Sequence, residues 1–412
     1  MRDKQMQKQA VPEFEEARRI ILELVEALST ERVKLLESNG RILAEDVVAP
    51  WNLPRFSNSA MDGYAVRAED CGAVLQVIDY VAAGGRPARA VTAGTAIKIM
   101  TGAPVPDGCD SVVPFEEIEE AEETVRATAV VKPGQHIRIA GEDVREGEVV
   151  LTSGRLVRPF EINMMASFGK EYVTVVRRAR VAIVATGDEL VELGETPGFG
   201  QIVDSNAYSL AAAVSALGAI PMIVGIARDN LASHREMLQE GLKADVLITS
   251  AGVSVGDRDF VREVLEEMGV KTVFWRVKVK PGKAMAFGIK DGRPVFALPG
   301  NPVSSMLTFE EFAAPALLKM MGHNITVKPL FPAVLQSGLK KKKGQTALVR
   351  VKLECTNGRY LAWSAGRQDT GFVRTMMDAN AVAVLPAERD EFLAGEEVQV
   401  HLLGGAAGGT SR

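Results

Sequence analysis

The sequence predicts an α/β protein of several domains, with a mostly parallel, three-layer sheet domain joined to β-rich domains in an elongated chain. Three observations carry this reading. From residue 178 to about 328, strand-length apolar runs alternate with helix-length amphipathic runs, the pattern of a parallel sheet with helices on both faces. Between 51 and 143, and again after 328, the runs are short, β-branched and cut by Gly and Pro, which reads as β structure. The length of 412 residues suggests about three domains at roughly 150 residues each.

Each element follows from local pattern. Residues 1–10 are polar and lack the apolar core of a signal peptide. Residues 11–28 predict an amphipathic helix, with Pro12 in its first turn and Ile20, Ile21, Leu24, Val25 and Leu28 at helical spacing. Residues 51–143 predict a β-rich domain, punctuated by Gly-Gly-Arg-Pro (84–87), Thr-Gly-Ala-Pro (101–104) and Pro-Gly (133–134). Its acidic run 116–123 reads as a solvated hairpin or loop. Residues 144–177 return to strands and a helix starting at Pro159. Together with 11–50 they predict a discontinuous, elongated first domain into which 51–143 is inserted.

Residues 178–328 predict the α/β domain. Its strands are 181–185, 220–226, 245–249 and 295–298, and its helices are roughly 206–217, 231–242, 259–268 and 302–320. Residues 329–404 predict a C-terminal β domain, in which 340–343 and Gly344 form an exposed turn. Residues 1–10 and 405–412 are tails.

Several function classes fall away. The 48 basic side chains are outnumbered by 53 acidic ones, for a net charge of −5. That argues against nucleic acid as a partner, because phosphate-backbone binding needs a basic field. Cys71, Cys109 and Cys355 form no C-x-x-C pair, so free thiols in a reducing, cytoplasmic setting are expected. The four His (His136, His234, His323, His401) are scattered, without H-E-x-x-H. Residues 205–227 carry no charge over a span long enough to cross a bilayer. Gly218 and Pro221 interrupt that span, and it reads as a helix to Leu217, a stop at Gly218 and a strand. No membrane association is expected.

In an open parallel sheet, ligands bind beyond the carboxyl ends of the strands, and the unusual loops of 178–328 all fall at such ends. The run 252–257 (Gly-Val-Ser-Val-Gly-Asp) lies between a strand and a helix, where backbone N–H groups favour an anion. A tight turn needing φ > 0 would select the same glycines. The run 299–304 (Pro-Gly-Asn-Pro-Val-Ser) is stiffened by two prolines. Asp188, Glu189, Asp204, Asp229, Asp257 and Asp259 lie in or near these loops. They suit a hard cation such as Mg²⁺ bridging to phosphate oxygens, or helix capping. Glu189 and Asp229 rank above Asp188 and Asp204 as functional groups. Arg276, Lys278 and Lys280 alternate, which predicts three cations on one strand face turned to solvent, to acidic partners or, the preferred reading, to an anionic ligand, with Lys283 beyond.

Read together, several segments resemble the molybdopterin molybdenumtransferase (MoeA-type) family, which includes the gephyrin E-domain. They are N-S-A-M-D-G-Y-A (58–65), I-M-T-G-A-P-V-P (99–106), G-E-D (141–143), T-G-D-E-L (186–190), G-V-S-V-G (252–256), K-P-G-K (280–283) and L-P-G-N-P-V-S (298–304). The resemblance runs in order from about residue 11 to residue 403. It implies insertion of molybdate into adenylylated molybdopterin with release of AMP, Mg²⁺ as cofactor, a molybdopterin adenylyltransferase as the upstream enzyme, and a homodimer.

By the same resemblance, Asp62, Thr101, Glu189, Asp229 and Asp259 are catalytic, and Glu189, Asp229 and Asp259 hold the metal. Substrate binding falls to Arg138, Asp143, Gly252, Ser254, Gly256, Arg276, Lys280, Lys283, Pro299, Pro302, Ser304 and Arg350. Within that set, Lys280, Lys283 and Ser304 serve molybdate. The chain departs from the family at Ser57, where many relatives have Asp, at Ala251, where many have Gly, and at Ala284, where Pro is usual. The alternatives are a non-catalytic gephyrin-like scaffold and a pterin or nucleotide pyrophosphatase that needs no oxoanion.

Overall fold

The computed structural model describes residues 11–252 and 260–404. They divide into two compact units. One comprises residues 34–36 and 45–173, and the other the chain up to 33, residues 37–44 and everything from 174 on. The second unit begins with helix α1 (Phe14–Leu24), which buries Phe14, Ala17, Arg18 and Ile21. Pro12 lies outside the helix rather than in its first turn. Glu13 is the N-cap and forms a capping box with Glu16, while the Pro12 carbonyl accepts from the Lys278 N–H at 3.0 Å.

The unit around 45–173 is built on a six-stranded sheet. Its strands are β1 (Gly63–Val66), β2 (Val74–Val81), β3 (Thr95–Ile99), β4 (Ser111–Pro114), β5 (Ile118–Ala121) and β6 (Thr124–Ala127). They lie in the order β4-β1-β3-β2-β6-β5. The acidic run forms the β5–β6 hairpin, with Glu119 and Glu120 facing solvent, as its charge requires. Helix α2 (Pro159–Ser167) starts on Pro159 at its first turn, as expected.

The sheet of the α/β part is six-stranded and mixed. Its strands are β7 (Arg180–Thr186), β8 (Ile220–Ala227), β9 (Val246–Ser250), β10 (Lys271–Phe274), β12 (Ala286–Lys290) and β13 (Arg293–Leu298), while β11 (Val279–Lys280) belongs elsewhere. The order is β8-β7-β9-β13-β12-β10. Strands β8, β7, β9 and β13 run parallel. Strands β12 and β10 add an antiparallel edge that the alternation of strand and helix did not reveal.

The central parallel strands β7 and β9 are buried and largely apolar because both sheet faces are covered there, whereas β8 at the edge is only partly buried. Val181 and Ile183 enter one core with Leu210 and Val214 of helix α3 (Asn206–Ala216) and Val303 and Leu307 of helix α6 (Pro302–Thr308). Ala182 and Val184 enter the other with Leu238 of helix α4 (Leu231–Gly241) and Val261 and Leu265 of helix α5 (Phe260–Glu267). The uncharged span 205–227 is α3, then Gly218 at φ 83°, then β8. Among the described residues no helix is long and apolar enough to cross a membrane.

The C-terminal β structure is a closed ring of β14 (Phe331–Leu335), β15 (Thr346–Thr356), β16 (Arg359–Ser364), β17 (Ala381–Leu385) and β18 (Glu397–Leu402), ordered β15-β16-β14-β18-β17 with β17 returning to β15. Ala347, Val349 and Val351 of β15 fill the ring's own core, whereas Leu348 joins Val382 in the α/β core. Strand β11 pairs with the start of β15, Val279 opposite Thr346 and Lys280 opposite Ala347.

The helix expected over 302–320 is broken by a π-helical turn, Phe309–Ala313, between α6 and α7 (Ala314–Met320). This wider turn brings Phe309, Glu311, Phe312 and Ala313 inward together. Glu311 is buried, accepts from Arg18 at 2.8 Å and lies 2.6 Å from His401 Nε2. Burial pushes its carboxyl up, but the His401 hydrogen bond and the charges of His401, Arg18 and Lys328 outweigh that and hold it below the usual carboxylate range.

Glu311→Ala strips the counter-charge from Arg18 and His401, and should cost about 3–5 kcal/mol in urea unfolding. A lowered folded pKa stabilises above the unfolded value near ~4.3 and stops doing so as pH falls through the folded value. The unfolding midpoint of Glu311→Gln should therefore vary less with pH below about 4.3 than that of the unaltered chain.

Candidate active site

In the unit around 45–173, the sheet register builds the contact between Asp62 and Thr101. Gly63 pairs with Ile99 across the antiparallel β1–β3 ladder, so the residues just beyond the ladder meet. Asp62 Oδ1 accepts from the Thr101 N–H at 2.6 Å and from Thr101 Oγ1 at 2.8 Å. These two bonds, the backbone one first, hold the exposed Asp62 carboxyl below its usual range. Gly63 is demanded by packing, since a Cβ there would sit 1.9 Å from the Val113 carbonyl oxygen.

Arg138 pairs with Asn58 in a short antiparallel ladder next to the loop that ends at Asp62. Asp143 lies apart, beside the Leu53–Val144 bridge. Ser57 accepts from the Ala140 N–H at 3.2 Å through its hydroxyl and so helps hold the turn after Arg138.

In the other unit, the rim at the carboxyl ends of the parallel strands is knit by polar bonds. Strand β7 lies between β8 and β9, and α3 and α5 leave β7 and β9 on opposite faces. The rim between them is thus a topological switch point, where open α/β sheets bind ligands. Thr186 Oγ1 donates across it to the Ser250 carbonyl at 3.4 Å. The Gly187 N–H bonds to the Ala227 carbonyl at 3.1 Å. The Asp229 N–H donates to Asp188 Oδ1 at 3.0 Å.

Glu189 folds back over Gly187, where a Cβ would lie 2.3 Å from its Oε2. Arg228, which the sequence reading did not single out, donates to the carbonyls of Gly187 and Leu190 at 3.3 and 2.8 Å. Only its position one residue before Asp229 hinted at this. Asp204 is buried, caps α3 by accepting from the Ala207 N–H at 3.1 Å, and is raised by burial. It serves as a helix cap.

The glycine loop begins with two consecutive left-handed residues, Ala251 at φ 74° and Gly252 at φ 75°. Gly252 has no room for a side chain, because a Cβ would lie 2.2 Å from Val261 Cγ2. Ser254, Gly256, Asp257 and Asp259 lie outside the described residues. The methyl of Ala251 packs on the proline loop: a Cβ at Gly300 would lie 2.9 Å from Ala251 Cβ. Pro299 is buried, Pro302 opens α6, and Ser304 is buried with its carbonyl accepting from Thr308 Oγ1 at 2.8 Å.

The basic segment differs from its expected form. Only Val279 and Lys280 are strand, and they extend the C-terminal sheet through β15 rather than the α/β sheet. The alternation survives as burial, with Val277 and Val279 buried and Lys280 exposed. Lys278 is bound to Glu13 at 2.5 Å and does not await an anion. Lys280 and Lys283 stand exposed on either side of the buried Pro281 and Gly282. The loop is closed by the Val277 N–H on the Lys283 carbonyl at 3.2 Å. It is seated on α6, for a Cβ at Gly282 would lie 2.3 Å from Thr308 Cγ2.

Arg350 lies elsewhere. It is 1 % exposed, and its guanidinium donates to the carbonyls of Arg367 and Asp369 at 2.9 and 3.3 Å. It thereby fixes the 367–369 loop over the outer wall of the ring.

Glu189 and Asp229 are exposed carboxylates on adjacent loops, and their hard oxygen donors fit Mg²⁺. Among the described residues no group of three His, Cys, Asp or Glu side chains converges to hold a metal.

Comparison with known proteins adds independent findings. Residues 12–169 match the MoeA N-terminal region (domain I and II), 182–319 a probable molybdopterin binding domain, and 332–403 the MoeA C-terminal region (domain IV). The chain is 37 % identical over 385 residues to the molybdopterin molybdenumtransferase of Haemophilus influenzae, covering 91 % of this chain and 95 % of that protein. It is 35 % identical over 399 residues to molybdopterin molybdenumtransferase 2 of Mycobacterium tuberculosis, covering 94 % and 98 %. A solved molybdopterin biosynthesis MoeA protein of Pyrococcus horikoshii superposes with a TM-score of 0.80 at 30 % identity, over 95 % of this chain and 100 % of that one.

The contact between Ala251 and Gly300 can be tested by a double-mutant cycle. Gly300→Ala should destabilise the chain by about 1–3 kcal/mol through overpacking. Adding Ala251→Gly, which removes the opposing methyl and a left-handed non-glycine residue, should recover at least ~0.5 kcal/mol beyond additivity in thermal unfolding.

Proposed function

We propose that this chain, which belongs to the molybdopterin molybdenumtransferase family, completes molybdenum cofactor synthesis by inserting molybdate into adenylylated molybdopterin with release of AMP. The observation that supports the residue assignment is the close packing of two motif loops at the sheet rim, Ala251 on Gly300. The substrate is a pterin dithiolene bearing a phosphate anhydride, and the second reactant is a tetrahedral oxoanion. Two anions brought side by side need cations and N–H donors on rigid supports.

Lys280 and Lys283 take molybdate, with Arg276 beside them. Ser304 serves molybdate with the two lysines, and the turns at 251–252 and 299–302 take the pterin phosphate, with Ser254 and Gly256 continuing the glycine loop. Glu189 and Asp229, with Asp259, would hold Mg²⁺, which supplies charge neutralisation at the anhydride oxygens. By the family resemblance Asp62, whose carboxyl Thr101 holds below its usual range, is a catalytic residue, and Arg138 and Asp143 are substrate-binding residues. Arg350 acts by holding the 367–369 loop. The chain works as a cytoplasmic homodimer supplied by a molybdopterin adenylyltransferase.

The test is AMP release from adenylylated molybdopterin, followed as molybdate is varied. AMP release should depend on molybdate, and Lys280→Ala with Lys283→Ala should raise the molybdate concentration for half-maximal rate by about tenfold or more. Equal AMP release without the oxoanion selects the pyrophosphatase reading, and an unchanged molybdate dependence removes the two lysines from the oxoanion site.

A further inference from the structure

Asn206 was not among the residues the motifs pointed to, yet it touches both loops of the rim. It is the first residue of α3, directly after the turn that Asp204 caps. Its Nδ2 donates to Ser250 Oγ at 2.9 Å and to the Gly300 carbonyl at 2.7 Å. Ser250 is the last residue of β9, and Gly300 lies in the turn after β13, the neighbouring parallel strand.

The backbone ladder between these strands ends with the Ala251 N–H on the Leu298 carbonyl at 3.0 Å. Beyond that point, among the described residues, no backbone hydrogen bond joins the two turns. The two hydrogens of one carboxamide therefore continue a ladder that the backbone has left, and they reach the turns from α3. Through Ser250 the chain of bonds extends to Thr186 at the end of β7.

We propose that Asn206 is a positioning residue that keeps the 250–252 and 299–301 turns in register, so that both present themselves to one substrate. This inference rests on the function proposed above. A group that sets the relative place of two binding loops contributes to binding in the ground and transition states alike. Its loss should appear in KM rather than kcat. A merely structural asparagine would lower the active fraction, and with it the apparent kcat, at constant KM.

The experiment pairs amide hydrogen exchange with kinetics on the full chain. In Asn206→Ala, exchange of the Ala251 amide, which is bonded to the Leu298 carbonyl, should accelerate about tenfold, while β7 remains as protected as before. The KM for adenylylated molybdopterin should rise about tenfold, with kcat per folded molecule within about twofold of the parent. If the alanine variant does not fold, Asn206→Asp, which is isosteric but lacks the amide donors, serves for the exchange measurement and carries the same expectation. Unchanged exchange in a folded variant overturns the inference, as does faster exchange with the parent's KM. Failure of the unaltered chain to release AMP counts against the function itself, and then against this inference with it. Normal turnover by the parent with an unmoved KM in the variant overturns the inference alone.

Discussion

A parallel sheet buried on both faces can offer a ligand only its rim. In β7 the odd-numbered apolar residues turn to one core and the even-numbered ones to the other, so no side chain within the strand is free for chemistry. Everything reactive must sit in the loops, and the loops must be held there by something other than the ladder. The polar bonds from Thr186 to Ser250, Gly187 to Ala227 and Asp229 to Asp188 do this across three adjacent strands. Each uses a backbone group that the ladder no longer satisfies, which is why short polar residues stand at strand ends.

Where the loops meet, they meet by close approach. Gly252 faces Val261, Gly282 faces Thr308 and Gly300 faces Ala251, at distances where a Cβ would collide. Gly300 is thus a steric requirement of packing loop on loop, and Gly252 and Gly282 of packing a loop on helices α5 and α6. The left-handed backbone at Ala251 is a cost of roughly 1–2 kcal/mol that a glycine would avoid. The surrounding structure bears it, as strained residues at functional loops commonly require.

Much of this was legible in the sequence, and the reasons for what was not are physical. Periodicity found β7, β9 and β13, because burial on both faces writes apolar runs, and it found the apolar edge strand β8 and the helices between them as well. It missed β10 and β12, whose runs contain Lys271, Thr272, Gly288 and Lys290 and pair antiparallel at an edge. The cations at 276, 278 and 280 alternate as a strand does, but the alternation records which side of a clamped segment faces the core. Nothing local to Lys278 could announce Glu13, 265 positions away. The motifs named the rim's loops and not the residues behind them. Arg228 and Asn206 act on backbone carbonyls, and a carbonyl leaves no mark on sequence.

The lysine loop shows what that support must overcome. Lys280 and Lys283 are exposed like charges on a short turn, and their repulsion favours a splayed loop. Opposing it, the segment leading into the turn is bonded on both sides. Lys278 donates its N–H to the Pro12 carbonyl and accepts from the Thr346 N–H, each at 3.0 Å. Its ammonium is meanwhile taken up by Glu13. Strand β11 then joins β15, whose Leu348 is part of the α/β core. The C-terminal ring and the N-terminal turn thus fix the backbone from which the two lysines project. Backbone bonds on both sides of the turn, rather than a counter-ion of their own, therefore set where the two exposed lysines emerge.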